Sequence, residues 1–97
     1  SPLDDTVFEK LEKIIRIRQE QMPEQSYTAK LFQEGTPRIA QKVGEEAVEV
    51  VVAAMQNDAV ALKAESADLL YHLMVLLREK GLSLNDIAGE LRKRMEG

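Results

Sequence analysis

Apolar residues recur at intervals of three and four along almost the whole chain, which is the spacing of amphipathic helices. The first group of them predicts a helix over about residues 5–20. A second, shorter helix is expected through YTAKLFQE, with Ser26 as its N-cap. Only EVVVA shows a run typical of a strand, and it lies inside a longer helical pattern. The first group consists of Val7, Leu11, Ile14 and Ile15.

The third helix is predicted from the residues around its start. Gly35 should end the second helix in a left-handed conformation, because glycine adopts positive φ angles without strain. Thr36 is then expected to be the N-cap of the third helix, and Pro37 its first residue, a position that proline favours. The helical pattern continues to about Gln56.

Two further helices are predicted from turn and capping residues. Asn57 and Asp58 mark a break and a new cap, after which a fourth helix should extend to about Lys80. Ser83 and Asp86 are three residues apart, the spacing of a capping box, and they predict the start of a fifth helix. The apolar face of the fifth helix consists of Leu84, Ile87, Ala88, Leu91 and Met95.

These elements predict an all-α fold, a helical bundle of about five helices that forms a single domain over residues 1–97. The helices at about residues 37–56 and 58–80 are expected to form a central antiparallel pair. Residues 50–55 and 69–77 are apolar nearly all round, which predicts burial on several sides. Because few short helices remain to cover this pair, we expect the chain to form a homodimer.

Composition narrows the classes of function. The chain has 44% hydrophobic and 31% charged residues, which is typical of a soluble globular protein, and it has no run of about 20 apolar residues that would span a membrane. The absence of cysteine excludes disulfides, thiolate nucleophiles and cysteine-bound zinc, and it fits a cytoplasmic protein. The net charge of −4 argues against binding nucleic acid through a basic face.

The segment KVGEEAVEVVVAAM places acidic residues beside a strongly apolar run. Glu46 and Glu49 are three residues apart, so they share one face of the third helix, and Glu65 and Asp68 repeat this arrangement on the fourth. In a helical hairpin that turns near Asn57, Glu49 should lie level with Glu65, and Asp68 should oppose Glu46. Four carboxylates would then meet at one level of the bundle.

Grouped carboxylates repel one another unless they are protonated or neutralised. Two unit charges about 4 Å apart repel by about 4 kcal/mol at an effective dielectric constant of about 20. A divalent cation removes this cost, and ligands that are all oxygen favour Mg²⁺ first and Mn²⁺ second. A single E-x-x-E pair usually marks a solvated helix face, so it is the matched second pair that favours a metal site.

The remaining polar residues near these carboxylates have two interpretations each. His72 follows Asp68 by four residues, a spacing that excludes the Glu-x-x-His motif of di-iron bundles. It is either a core histidine bonded to a neighbour or a partner that orients a carboxylate. Lys42 lies one turn before Glu46 and would form a surface ion pair or contact a phosphate. The candidate phosphate-binding residues are Lys30, Arg38 and Lys42.

The E-x-x-E and E-x-x-D pairs on adjacent helices resemble those of the MazG-like all-α nucleoside triphosphate pyrophosphohydrolases. Within that superfamily, SYTAKLFQEGTPRIAQKVGEEAVEVVVAA and ESADLLYHLMVLL are similar to segments of the phosphoribosyl-ATP pyrophosphatases of histidine biosynthesis. The resemblance extends over about residues 5–95. It implies hydrolysis of phosphoribosyl-ATP to phosphoribosyl-AMP and pyrophosphate.

The resemblance also implies roles for individual residues. It makes Glu45 a candidate for orienting or deprotonating the attacking water, and Lys30 and Lys42 candidates for holding phosphates. The implied ligands of Mg²⁺ are Glu46, Glu49, Glu65 and Asp68.

Two other functions fit the same residues. One is a house-cleaning pyrophosphatase that acts on dUTP, dCTP or modified nucleotides, since the same four acids would serve it. The other is a non-catalytic helical dimerisation module, in which the acids form a solvated stripe. The residues alone do not choose between these substrates, and only the resemblance favours phosphoribosyl-ATP.

Overall fold

The computed structural model describes residues 5–97 of the chain, and within this range it contains five helices and no strand. The predicted all-α class is therefore confirmed, and each predicted helix is present within one or two residues of its expected ends. The helices are α1 (Asp5–Gln21), α2 (Tyr27–Glu34), α3 (Thr36–Met55), α4 (Ala59–Glu79) and α5 (Leu84–Glu96).

Three of the predicted caps are present. The Ser26 side chain accepts a hydrogen bond from the Ala29 N–H at 3.0 Å, and the Asp58 side chain accepts one from the Ala61 N–H at 3.0 Å. Before α5, the Ser83 N–H donates to the Asp86 carboxylate at 2.9 Å, and the Asp86 N–H donates back to the Ser83 hydroxyl. These bonds satisfy backbone donors that a helix start leaves without partners.

The predicted start of α3 was wrong in detail. Gly35 is both the C-cap of α2 and the N-cap of α3, with φ 86° and ψ −173°. The φ is positive, as expected for this glycine, but the ψ places Gly35 outside the left-handed helical conformation that was predicted. Because Gly35 both ends α2 and precedes α3, no separate N-cap follows. Thr36 is instead the first residue of α3 and Pro37 the second. The Thr36 hydroxyl donates to the Glu79 carboxylate at 3.0 Å, which ties the start of α3 to the end of α4.

Helices α3 and α4 form the predicted central antiparallel pair, and they make the most extensive contact between any two helices of residues 5–97. Helices α1 and α2 pack against this pair. The cluster of buried apolar side chains between these four helices contains Ile15, Leu31, Ile39, Met74 and Val75. This core fixes one face of α3 and α4 and leaves the opposite face free of other helices.

The predicted burial of residues 50–55 does not occur within one chain. Ala53 is buried, whereas Val51 is 59% exposed and Met55 is 81% exposed. The reason is that α1 and α2 cover only one side of the central pair. The exposed large apolar residues of α3 lie on one face, which we call the α3 apolar face; it consists of Val48, Val51, Val52 and Met55.

Helix α5 also leaves its apolar side uncovered, and none of its residues is buried. Its first N–H, that of Leu84, donates to the Glu12 carboxylate of α1 at 2.9 Å, whereas the apolar residues further along are exposed. None of the described helices is long and apolar enough to cross a membrane. The exposed large apolar residues of α5 are Ile87, Leu91 and Met95.

Candidate active site

The hairpin of α3 and α4 brings three carboxylates together. Glu46, Glu49 and Glu65 each offer a carboxylate oxygen, and these atoms all lie within 4.8 Å of one another. The spacing of three residues puts the first two on one face of α3, and the antiparallel turn places the third beside them. The predicted grouping is thus present for three of the four acids. We call these three residues the carboxylate cluster.

Asp68, the fourth predicted ligand, lies outside the carboxylate cluster and its side chain is exposed. Residues three apart on a helix differ by about 60° in direction, an offset that leaves Glu49 in the cluster but takes Asp68 out of it. The rotation of α4 against α3 therefore decides which of its two acids reaches the cluster. A role of Asp68 as a ligand therefore stays a prediction.

The carboxylate cluster is partly shielded from water. Glu46 is buried, Glu65 is half-buried and Glu49 is exposed. One oxygen of Glu46 and one of Glu65, both Oε2, are buried without a hydrogen-bond partner among the described residues. Leaving a buried polar atom without a partner costs about 1–3 kcal/mol, and more for a charged group. The cluster thus contains oxygen atoms that a bound cation would satisfy.

Lys42 is the basic residue in direct contact with this cluster. Its Nζ lies 3.3 Å from Oε1 of Glu46 and 3.5 Å from Oε1 of Glu45, and only 19% of its side chain is exposed. Burial alone would lower the pKa of Lys42, but hydrogen bonds with Glu46 and Glu45 and the nearby Tyr27 phenol outweigh it, so the pKa is raised. Lys42 therefore stays charged and offsets part of the negative charge of the cluster.

Glu45 lies beside the carboxylate cluster but outside it, and it is exposed. The Gln41 amide donates to its Oε2 at 2.9 Å. This bond lowers the pKa of Glu45; slight burial works against it, and Lys42 adds to the lowering. Glu45 is consequently ionised at neutral pH and is a weaker base than an ordinary glutamate.

The other two predicted phosphate-binding residues do not contact the carboxylate cluster. Arg38 forms an ion pair with Glu34 at 3.8 Å on the surface, a type of contact that contributes little to stability. Lys30 is exposed on α2, and its side chain has no hydrogen bond or ion pair with another described residue. Its ammonium group is therefore available to an anionic ligand.

His72 is buried and uses both ring nitrogens. Its Nδ1 lies 2.7 Å from the main-chain carbonyl oxygen of Asp68, and its Nε2 lies 2.9 Å from the Tyr27 hydroxyl. A carbonyl oxygen only accepts, so Nδ1 donates to it; in the neutral ring, Nε2 then accepts from Tyr27. Of the two interpretations, the contacts favour the core histidine, since His72 bonds the backbone of Asp68 and not its carboxylate.

Sequence reasoning did not identify the partners of His72. Tyr27 and Thr28 start α2, and they bond consecutive residues of α4: Tyr27 bonds His72, and the hydroxyls of Thr28 and Tyr71 bond each other. The rings of Tyr71 and His72 meet nearly at right angles with centroids 4.8 Å apart. The only sequence signals for this contact are the motifs SYT (residues 26–28) and YH (residues 71–72), which contain the bonded side chains. Neither motif indicates that it contacts the other.

Comparison with known proteins supports the resemblance seen in the sequence. Residues 8–95 match the family model described as phosphoribosyl-ATP pyrophosphohydrolase. The chain belongs to this family. The predicted resemblance to the phosphoribosyl-ATP pyrophosphatases is thereby confirmed, and it extends over nearly the range expected.

Members of the phosphoribosyl-ATP pyrophosphohydrolase family with similar sequences occur as short and as long chains. The chain is 54% identical over 90 residues to the phosphoribosyl-ATP pyrophosphatase of Pyrobaculum aerophilum, covering 93% of this chain and 96% of that one. It is 54% identical over 85 residues to the enzyme of the same name from Leptospira biflexa, covering 88% and 92%.

The long relatives are bifunctional proteins. The chain is 53% identical over 88 residues to the histidine biosynthesis bifunctional protein HisIE of Bacillus subtilis. This match covers 91% of the chain but 42% of that relative. The chain thus spans about two fifths of the length of the bifunctional relatives it matches.

Proposed function

We propose that this protein hydrolyses phosphoribosyl-ATP to phosphoribosyl-AMP and pyrophosphate, a step of histidine biosynthesis. The observation that carries the proposal is the carboxylate cluster, in which two buried oxygens have no partner among the described residues. Family membership and the names of the similar proteins support the choice of substrate. A biosynthetic role of this kind is consistent with a cytoplasmic location.

The donor set fits a hard divalent cation, and we propose Mg²⁺, with Mn²⁺ as the alternative. Glu46, Glu49 and Glu65 supply only oxygen atoms, which is the preference of Mg²⁺, and the partnerless Oε2 atoms of Glu46 and Glu65 would gain a partner. Asp68 would join them as a fourth ligand if its exposed side chain turned towards the cluster. When bound, Mg²⁺ would neutralise phosphate charge and polarise the bond to be broken.

The residues around the cluster would position the reactants. Lys42, held by Glu46 and Glu45, would contact a phosphate oxygen through a further N–H donor of its ammonium group. Glu45 would orient the attacking water by accepting a hydrogen bond from it. Its lowered pKa makes orientation a better role for Glu45 than proton abstraction. Arg38 would need to leave Glu34 before it could reach a phosphate.

We also propose that the protein is a homodimer, in which the α3 apolar face is covered by a second copy. The accessible surface of the chain is 7101 Å², whereas a compact monomer of this mass exposes about 5,600 Å². The radius of gyration is 14.6 Å, compared with about 12.5 Å for a compact domain of this length. Both differences support a chain that completes its core by association.

The hydrolysis is tested by measuring pyrophosphate release from phosphoribosyl-ATP with and without Mg²⁺. We expect turnover only with the metal, and a preference for phosphoribosyl-ATP over a panel of dUTP, dCTP and ATP. Glu49→Gln and Glu65→Gln should each lower kcat/KM by about 100-fold or more, because loss of a direct ligand should cost at least as much as loss of a residue that supports one.

Glu90→Gln on α5 is the matched control, since Glu90 is exposed and, among residues 5–97, pairs only with Arg94. This variant should keep full activity. Unchanged turnover in both cluster variants would refute the metal site. Preferential turnover of dUTP or dCTP would refute the histidine-pathway substrate and leave the metal site standing.

A further inference from the structure

The Tyr27 side chain is fixed at its hydroxyl, and its ring lies 6.3 Å from that of Tyr71 between centroids. Its hydroxyl is bonded to Nε2 of the buried His72, yet 48% of the residue is exposed. The rings of Tyr27 and His72 also meet edge to face, with centroids 5.7 Å apart. An aromatic ring held in this way offers a flat apolar surface to a ligand with little loss of conformational freedom.

Tyr27 forms one wall of a surface cleft of about 470 Å³, which we call the Tyr27 cleft. This volume lies within the range of small-molecule sites, about 300–1,000 Å³. Lys30 also lines the cleft and has no ion pair with a described residue. Glu24 is the acidic residue of the lining, and the amides of Gln25 and Gln33 add polar groups. The cleft thus combines an aromatic surface with an unpaired cation.

The Tyr27 cleft adjoins the carboxylate cluster through Tyr27 itself. The Tyr27 hydroxyl is bonded to Nε2 of His72 on α4, the helix that also carries Glu65 of the cluster. Through His72, Tyr27 is also linked to the backbone of Asp68.

A second cleft, of about 320 Å³, is lined by residues of α1, α4 and the turn before α5. Neither cleft is lined by a residue of the carboxylate cluster. The Tyr27 cleft is the one with a lining residue bonded through His72 to the backbone of Asp68, three residues after Glu65, and a substrate whose triphosphate lies at the cluster would therefore extend into this cleft.

We propose that the Tyr27 cleft binds the part of the substrate that ordinary nucleoside triphosphates lack, the phosphoribosyl group carried on the adenine. Lys30 would bind its terminal phosphate, and the Tyr27 ring would contact the adjacent ribose or adenine. His72 would act as a positioning residue that holds Tyr27. This inference rests on the proposed function, since it takes phosphoribosyl-ATP as the substrate, and it assigns to this cleft the selectivity for that nucleotide.

The test is a comparison of two ligands without metal, so that it does not depend on turnover. Binding of phosphoribosyl-AMP and of AMP is measured by calorimetry in the presence of a chelator. The wild-type chain should bind phosphoribosyl-AMP at least about 10-fold more tightly, because hydrogen bonds between the Lys30 ammonium group and the added phosphate join two charged groups. Lys30→Gln should remove this preference, and Lys93→Gln, an exposed lysine on α5, should retain it.

The positioning role of His72 needs its own readout. Tyr27→Phe keeps the ring and loses the hydrogen bond, whereas His72→Gln removes the other partner of that bond. If the two residues act as a unit, the double variant should bind phosphoribosyl-AMP no more weakly than the weaker single variant. Additive losses would refute the positioning role. Thermal unfolding of each variant shows whether it is folded at the temperature of the binding measurement.

Two outcomes separate this inference from the proposed function. Equal binding of AMP and phosphoribosyl-AMP by the wild-type chain, or an unchanged preference in Lys30→Gln, would overturn the role of the Tyr27 cleft even if the enzyme turns over. A preference that is lost in Lys30→Gln would support the cleft even if no pyrophosphate is released with Mg²⁺, a result that would refute only the hydrolysis.

Discussion

At the scale of single residues, the carboxylate cluster affects stability in opposite directions with and without metal. The three carboxylates lie within 4.8 Å of one another, and Lys42 offsets only part of their charge. Without metal, Glu65→Gln should raise the free energy of unfolding by about 1 kcal/mol, or the Tm by roughly 4–8 °C, because repulsion is relieved. Because Glu49 is exposed, water screens part of the repulsion, and the expected increase in the free energy of unfolding is well below that for carboxylates shielded from water.

With Mg²⁺, the same substitution should be destabilising relative to wild type. A ligand present at about 100 times its Kd stabilises the folded state by about 2.7 kcal/mol, and Glu65→Gln should lose most of this increment. Thermal unfolding in chelator and in Mg²⁺ measures both effects. Glu45→Gln is the comparison, because Glu45 lies outside the cluster, and it should keep the Mg²⁺ increment. An equal Mg²⁺ increment in wild type and Glu65→Gln would contradict the assignment of Glu65 as a ligand.

Tyr71 gives a second prediction at this scale, which concerns alkaline pH. Burial raises the pKa of the Tyr71 phenol above its usual value near 10.0, and the bond with Thr28 opposes this only in part. Between the unfolded and the folded pKa the native state binds more protons than the unfolded state, so the free energy of unfolding falls as pH rises. The stabilising contribution is complete below about pH 10 and is lost as pH rises through the folded pKa.

Tyr71→Phe should make this alkaline decline shallower, since the titrating group is gone. At neutral pH the variant should be less stable by about 1 kcal/mol, because it loses the hydrogen bond with Thr28. Urea unfolding at several values between about pH 8 and pH 11 measures both quantities. A decline of equal slope in wild type and variant would show that Tyr71 does not contribute to it. The raised pKa of Lys42 acts in the same direction, so some decline should remain.

At the scale of the helices, Gly35 is the residue that the α2–α3 junction requires. Its φ of 86° with ψ of −173° lies in a region that only glycine adopts readily. Gly35→Ala should therefore lower the free energy of unfolding by about 1–3 kcal/mol. The displaced junction would also move Thr36 away from Glu79, to which its hydroxyl donates.

Gly89→Ala provides a control of opposite sign. Gly89 lies inside α5, and, apart from its chain neighbours and the backbone of its own helix, an added methyl group there would meet no described atom within 4 Å. Alanine should stabilise the helix by about 0.5–1 kcal/mol. Thermal unfolding of both variants measures the contrast. A Gly35→Ala variant as stable as wild type would mean that this junction adopts another conformation in solution.

The helices show which features the sequence made predictable. Periodicity and capping chemistry are local, so the helix ends and the caps at Ser26, Asp58 and Ser83 could be predicted from neighbouring residues. The level of Glu49 and Glu65 was also predictable, because a short hairpin fixes the register of its two helices. The rotation of each helix about its own axis, which decides where side chains such as that of Asp68 point, does not follow from the register.

Features that depend on contacts between distant segments were missed. Thr36 was expected to be an N-cap from local preference, but its hydroxyl is bonded to Glu79, which is 43 residues away. Tyr27 and His72 are 45 residues apart, and no spacing rule relates them. The exposed position of Asp68 likewise depends on how α4 is rotated against α3. Such arrangements follow from packing of the whole bundle, which periodicity does not determine.

At the scale of the whole molecule, the chain exposes apolar residues that a monomer of this size would ordinarily bury. The α3 apolar face runs along the side of the central pair opposite α1 and α2, and Val60 at the start of α4 is 75% exposed beside its end. Residues with little contact to their own chain gain the most from association, because each valine buried contributes about 1.5 kcal/mol or more. The carboxylates project from the same two helices, so association would also stiffen the frame that carries the candidate active site.

The oligomeric state is therefore the most informative property to measure on the intact protein. Sedimentation equilibrium should give a mass of two chains for wild type. Val51→Glu should raise the Kd of the dimer by about 100-fold or more, because a symmetric interface would bury two added charges and lose two valine contacts. Val7→Glu is the matched control, since Val7 is 53% exposed on α1, close to the 59% of Val51, but lies on a different helix. A monomeric wild type at micromolar concentration would refute the dimer. Equal weakening of the dimer by both substitutions would place the interface elsewhere than on the α3 apolar face. If Val51→Glu loses Mg²⁺-dependent turnover in parallel with its dissociation, association holds α3 and α4 in their active arrangement.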